Sequence, residues 1–271
     1  MENLSYSNVC DSMGNYISNN CAKSGGSEVK EAPIADSSPV KNYKIISIEG
    51  NIGSGKTTLL TELKEKYKND PRIVFLKEPV DEWETIKDKT GKTMIQKFYE
   101  NQEMYSFSFQ MMAYISRLAL LKQKIKEYKN EKNMIFITER SLYTDKYVFA
   151  KMLFESGKIE DVNYQIYGKW FDLFALEDDC RIDKIIYVKV DPTICMQRIT
   201  GRGRSGESNI PLEYLSSCHD YHENMMQVLN YVDMLILDGK DNVRTLTKGT
   251  YNKGTVIAGN EEININIFIE E

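Results

Sequence analysis

The sequence predicts a three-layer α/β/α domain, a parallel sheet with helices on both faces, and three observations predict it. Short β-rich apolar runs alternate with helical stretches from residue 43 onward. The first run ends in Gly50-Asn-Ile-Gly-Ser-Gly-Lys-Thr57 and leads directly into a helical stretch. Charged residues then gather just past the carboxyl ends of the runs, where open α/β sheets bind their ligands.

Residues 1 to about 42 are rich in Ser, Asn and Gly, carry Pro33 and Pro39, and show no apolar periodicity. They are expected to be a disordered leader. The domain, residues 43–238, begins with a strand at Lys44–Glu49, a helix at Lys56–Asn69 and a strand at Arg72–Leu76. A long helical region runs from about Thr93 to Lys129, followed by a strand at Met134–Thr138. Helices at Thr144–Glu155 and Val162–Leu176, a strand at Lys184–Val190, helices at Pro192–Thr200 and Pro211–Val232, and a strand at Met234–Leu237 complete it. Strands separated by helices imply βαβ crossovers. In the tail, 239–271, Ile263, Ile265, Ile267 and Ile269 alternate with other residues at period two, a β pattern that a turn at Gly259-Asn260 could lead into.

With 41% hydrophobic residues in 271, the chain can bury one substantial core. A net charge of −5 argues against nucleic acid as a partner. No apolar run reaches the roughly 18 residues of a membrane span, so no membrane partner is expected. The N-terminus has neither a secretory pattern nor the arginines of a transit peptide, the first arginine being Arg72. Five cysteines, without any C-x-x-C, suit reduced thiols and a cytoplasmic location. Cys218-His219-Asp-Tyr-His222 fits no common zinc spacing and reads as a partly solvated helix face.

The stretch from Gly50 through Asn51, Ile52, Gly53, Ser54 and Gly55 to Lys56, Thr57 and Thr58 is a phosphate-binding loop, or P-loop, in its required strand-to-helix setting. Its glycines let consecutive N–H groups turn inward around phosphate oxygens, at the positive end of a helix. Lys56 should reach the β- and γ-phosphates of ATP or a close relative, and the Thr57 hydroxyl should ligate Mg²⁺. Phosphoryl transfer also needs a base, and Glu78, just past a strand end, is the leading candidate. Glu139 ends another strand in the position of a Walker-B acid that holds Mg²⁺. Arg140 beside it is a fixed cation able to fork onto phosphate or onto Glu78. Arg198, Arg202 and Arg204, interleaved with glycines, make a basic lid that could close over the phosphates.

Five motifs in order carry a resemblance: Ile48-Glu-Gly-Asn-Ile-Gly-Ser-Gly-Lys-Thr57; Glu78-Pro-Val with Trp83; Ser106-Phe-Ser-Phe-Gln110 with Ser116-Arg117; Glu139-Arg-Ser-Leu-Tyr-Thr-Asp145; and Arg202-Gly-Arg204 with Ile210-Pro-Leu-Glu-Tyr-Leu215. Over about residues 43 to 237 the chain resembles the deoxynucleoside kinases, most nearly their deoxycytidine and deoxyguanosine kinase branch. The resemblance implies a five-stranded parallel sheet, a homodimer, and transfer of the γ-phosphoryl of a nucleoside triphosphate to a deoxynucleoside 5′-hydroxyl. By position it makes Glu78 the general base, with Arg140 beside it, and Glu139 the acid at Mg²⁺. Tyr99 and Glu207 would bind the sugar 3′-hydroxyl and Gln110 the base edge. Trp83, Phe109 and Phe149 would wall the base, and Arg198, Arg202 and Arg204 would be the lid arginines.

Gln110 and Arg117 stand two helical turns apart on one face with Ala113 between them, and Asp145 could pair with Arg117. In the family, Ala, Arg and Asp here accompany deoxycytidine and purine deoxynucleosides, whereas members that accept thymidine are apolar. The expected acceptor is therefore deoxycytidine or a purine deoxynucleoside, the alternative being a thymidine or broad-specificity kinase. Two departures stand out. Lys97 and Phe98 replace methionines commoner in relatives, and Gly239-Lys-Asp-Asn-Val243 replaces an acidic donor-base loop. A monophosphate kinase would need further cations for its acceptor phosphate. A GTPase switch would need N-K-x-D, which Asn252-Lys-Gly-Thr255 fails at the acid.

Overall fold

A computed structural model of the chain describes residues 41–174, 180–203, 210–240, 246, 248–253 and 261–271. Residues 1–40 of the expected leader, Arg204, Glu207 and the turn at Gly259-Asn260 lie outside the described residues.

The order along the chain is β1 (Tyr43–Glu49), α1 (Lys56–Lys66), β2 (Ile73–Leu76), α2 (Val80–Trp83), α3 (Met94–Glu100), α4 (Gln102–Glu127) and β3 (Met134–Glu139). Then come α5 (Leu142–Thr144), a π-helical segment (Asp145–Ala150), α6 (Lys151–Glu155), α7 (Asp161–Phe174), β4 (Lys184–Lys189), α8 (Pro192–Arg202), α9 (Leu212–Val228) and β5 (Asp233–Asp238). The tail adds β6 (Lys248–Asn252), β7 (Glu261–Asn264) and α10 (Ile265–Glu270).

The sheet order is β2-β3-β1-β4-β5-β6-β7. The five strands from β2 to β5 are parallel; β6 and β7 extend the sheet antiparallel from β5. Each parallel strand is apolar on both faces because both are covered. Ile45, Phe136, Ile185 and Met234 join one core layer with Tyr114, Tyr167 and Phe171 from helices α4 and α7. Their neighbours Ile46, Ile137, Ile186 and Leu235 join the opposite layer with Leu59, Leu63, Ile199 and Phe268. Each such side chain, fully buried, stabilises the fold by about 1.5–3 kcal/mol. Among the described residues no helix is long and apolar enough to cross a membrane.

Register positions the site. Ile46 pairs with Ile137 and Ile48 with Glu139, so the phosphate loop leaves β1 beside the end of β3. The Arg140 N–H donates to the Ile48 carbonyl at 3.0 Å, carrying the ladder one residue further. Arg140 has φ 62, left-handed for a non-glycine residue. That conformation costs on the order of 1–3 kcal/mol and recurs at functional sites.

Four expectations need correction. The long helical region is broken at Asn101, whose φ of −149° leaves the helix while its side chain accepts from Met104 N and starts α4. The helix expected from Thr144 begins at Leu142, because Ser141 and Thr144 form a capping box, and it is π-helical across Asp145–Ala150. The tail is strand only to Asn264; this side chain then caps α10 by accepting from Asn266 N. Burying Ile265, Phe268 and Ile269 follows helical spacing, and it overrides the period-two alternation. Cys218 and His222, expected on a partly solvated face, are instead fully buried.

Candidate active site

A cleft of about 330 Å³ opens at the carboxyl ends of the parallel strands. Its phosphate end is built by the turn between β1 and α1. Gly50 (φ 144) and Gly53 (φ 79) are required there: a Cβ would lie 2.6 Å from the Val188 carbonyl oxygen in one case and from that of Cys195 in the other. Ile52, Gly53, Gly55, Lys56, Thr57 and Thr58 line the cleft. Gly50, Asn51 and Ser54 are buried and do not line it. Asn51 Nδ2 donates to Leu215 O at 2.8 Å, fastening the loop to α9, and Asn51 O accepts from Lys56 Nζ at 2.6 Å.

Burial, with Arg140 next in effect, lowers the Lys56 ammonium to a pKa of about 7. An ammonium already inclined to lose its proton has much to gain from a triphosphate.

Glu78, Arg140, Arg117 and Asp145 meet on the opposite wall. Arg140 Nη1 donates to both Glu78 oxygens at 2.8 Å. Arg117 Nη2 donates to Glu78 Oε1 at 3.0 Å, and Arg117 Nε to Asp145 Oδ2 at 2.9 Å. Its Nη1 donates to the Glu139 carbonyl at 2.7 Å, so Arg117 ties three segments together. Burial opposes the Glu78 charge, but Arg140, Arg117 and Lys56 outweigh it and hold the carboxyl at about 2. Burial alone dominates at Asp145, whose pKa is raised despite Arg117.

Thr57 Oγ1 donates to Glu139 Oε1, while Glu139 Oε2 is buried without a hydrogen-bond partner. A hydroxyl beside an unsatisfied carboxylate oxygen at the phosphate loop is the oxygen set that Mg²⁺ takes together with phosphates, so these residues fit that ion.

The base-sized part of the cleft lies between α2, α3 and α4. Trp83 is held by its indole N–H donating to Ser116 Oγ at 2.7 Å, and it meets Phe109 edge-on at 5.7 Å. Gln110 is 1% exposed and its Oε1 has no partner. Ala113 and Tyr99 line the same space. Phe149 lines it too, with the Arg140 guanidinium 5.1 Å from its ring centre.

Arg198 and Arg202 of the expected lid line the cleft from α8. Arg198 is already engaged: its guanidinium donates to the carbonyls of Ser54 (3.1 Å), Gly239 (2.7 Å) and Lys240 (3.1 Å).

Sequence reasoning gave no role to Val80, Ile95 or Tyr214, which also line the cleft. Val80 lies inside the Glu78-Pro-Val motif and Tyr214 inside the Ile210–Leu215 motif, so their signals were available; Ile95 looks like any apolar helix residue. Phe98 stacks on Phe109 at 4.5 Å and lines the cleft beside it, where a methionine would be more pliable.

A family model described as deoxynucleoside kinase matches residues 46–258. Among curated proteins, the chain is 34% identical over 227 residues to deoxycytidine kinase 2 of Gallus gallus, covering 75% of this chain and 84% of that one. It is 38% identical over 205 residues to deoxycytidine kinase of Homo sapiens (70% and 78%). To mitochondrial thymidine kinase 2 of Homo sapiens it is 31% identical over 182 residues (67% and 64%).

Proposed function

Because this chain belongs to the deoxynucleoside kinase family, we propose that its cleft transfers the γ-phosphoryl of ATP, or of another nucleoside triphosphate, to the 5′-hydroxyl of deoxycytidine or a purine deoxynucleoside. The observation that carries the base assignment is Arg117, buried and spent on both Asp145 and Glu78. The Arg117–Asp145 pair occupies the room a thymine methyl would need. Asp145 and the unpartnered Gln110 Oε1 offer acceptors for an exocyclic amino group.

In this reading Glu78 accepts the 5′-hydroxyl proton. Its low pKa suits a loose transition state, in which the hydroxyl becomes acidic only as the new P–O bond forms. Arg140, whose Nε and Nη2 have no protein hydrogen-bond partner, turns them to the migrating phosphoryl group, and Lys56 and Arg202 add their positive charge there. Mg²⁺, held by Thr57 and Glu139, would neutralise charge on the donor phosphates. Tyr99 binds the sugar, and Trp83, Phe109 and Phe149 enclose the base.

We further place the enzyme in the cytoplasm, which suits its buried free thiols Cys180, Cys195 and Cys218, and read it as a homodimer. Val162, Ile166, Trp170 and Leu173 form an exposed apolar stripe along α7 that a second copy would cover. Light scattering reads the oligomer. The substrate assignment is tested by assaying the four natural deoxynucleosides with ATP and Mg²⁺; thymidine as the best substrate would overturn it.

A further inference from the structure

Glu49, the last residue of β1, is 0% exposed, yet it lines no part of the cleft. Its Oε1 accepts from Ser47 Oγ at 2.5 Å and from Ser141 Oγ at 2.7 Å, and its Oε2 accepts from Thr144 Oγ1. Ser141 and Thr144 are also the capping box of α5: Ser141 N donates to Thr144 Oγ1 at 3.3 Å and Thr144 N to Ser141 Oγ at 3.4 Å. Each hydroxyl therefore accepts a hydrogen bond from a backbone N–H and donates one to the shared carboxylate.

The two ends of this bridge are consequential. Gly50 of the phosphate loop follows Glu49, whereas Arg140 precedes Ser141 and Asp145 follows Thr144. A buried carboxylate is a costly way to join two segments, since well-packed apolar side chains usually stabilise as well or better. What it adds is fixed register: neither segment can slide without breaking a charge-assisted bond where water is not at hand to replace it.

We propose that Glu49 is a positioning residue for phosphoryl transfer, locking the donor loop against the turn that carries Glu139, Arg140 and Asp145. This rests on the kinase reading above. The lock acts on alignment between the two halves of the site and leaves each half able to bind its own substrate. A misplacement of about 1 Å between reacting groups can cost about 10²-fold in rate.

Glu49→Gln tests it. The amide nitrogen cannot accept, so a hydroxyl proton from Thr144 or Ser141 is stranded. The expected result is a kcat per folded molecule lowered about tenfold or more, with KM for nucleoside and for ATP each within about threefold of wild type. Thr144→Val, which removes the hydroxyl at nearly constant shape, should follow Glu49→Gln, and Thr144→Ser should keep the wild-type kcat. A Glu49→Gln enzyme that melts earlier but turns over normally would overturn the proposal, and so would equal kcat values for the two Thr144 variants. Should Glu49→Gln not fold, the Thr144 pair decides. Wild-type turnover in the same assay tests the reaction itself, and the ratios between variants test the lock.

Discussion

Arg140 and Glu78 meet through a single guanidinium nitrogen: Nη1 lies 2.8 Å from both carboxylate oxygens, which leaves Nη2 and Nε buried without protein partners. The arginine thus steadies the acid through one nitrogen, and in the proposed reaction the other two would serve the transferring phosphoryl group. Replacing Glu78 with Gln preserves shape and removes the anion. The expected outcome is a kcat lower by about 10²–10⁴, the usual worth of a positioned base, with deoxynucleoside affinity by calorimetry changed less than about tenfold. An unchanged kcat would remove Glu78 as the base.

The Arg117–Asp145 pair yields a second prediction. Arg117→Met leaves Asp145 as a buried carboxyl without its counter-ion, a change that typically costs about 3–5 kcal/mol. Adding Asp145→Ala removes that stranded group, so the double variant should recover part of the loss in denaturant melts. It also vacates polar space beside Ala113, and the thymidine-to-deoxycytidine ratio of kcat/KM should rise about tenfold or more. A double variant no more stable than Arg117→Met, with an unaltered ratio, would take the pair out of the base pocket.

Much of this arrangement was legible in the sequence because its signals are local. The glycine loop, Glu78 at a strand end and Glu139-Arg140 at another are each fixed by strand-then-turn patterning, and the parallel register brings them together. What was not legible depends on partners distant in sequence. Nothing near Glu49 announces that Ser141 and Thr144 will close on it. Nor does the sequence say that Arg198 will spend itself on the Gly239 and Lys240 carbonyls. The tail misled for a related reason: residues 263–269 satisfy both a strand alternation and an i, i+3, i+4 stripe, and only the exposed face of the core decides between them.

Lys56 gives a pH prediction. Its pKa is lowered to about 7, chiefly by burial, against 10.5 for an ordinary lysine. Bound phosphate favours the charged form and raises it again. Between about pH 7.5 and 9.5, donor binding should therefore take up as much as one proton, and kcat/KM for ATP should decline with rising pH. The uptake is read by calorimetry in buffers of different ionisation enthalpy. For stability the sign is the reverse of a salt-bridged lysine: the unfolded chain binds the extra proton, so this group's contribution improves from pH 7 toward 10.5. Donor binding with no proton uptake at pH 8.5 would mean that Lys56 is charged in the free enzyme.

The last prediction concerns the tail. Phe268 is 1% exposed, meets Tyr251 edge-on at 5.7 Å, and its carbonyl accepts from Lys184 Nζ at 2.8 Å. Tyr67, at the end of the helix that begins with Lys56, donates to Asn266 at 3.0 Å. Helix α10 is thus part of the layer that supports the phosphate loop. Phe268→Ala should cost about 3–5 kcal/mol, and Ile265→Ala about 2–5 kcal/mol. Ile267 is 50% exposed, and Ile267→Ala should stay within about 0.5 kcal/mol of wild type. A strand would put Ile265 and Ile267 on one face and Phe268 on the other. Equal losses at Ile265 and Ile267 in denaturant melts would mean that these residues pack as the alternation suggests, and the helix would be wrong.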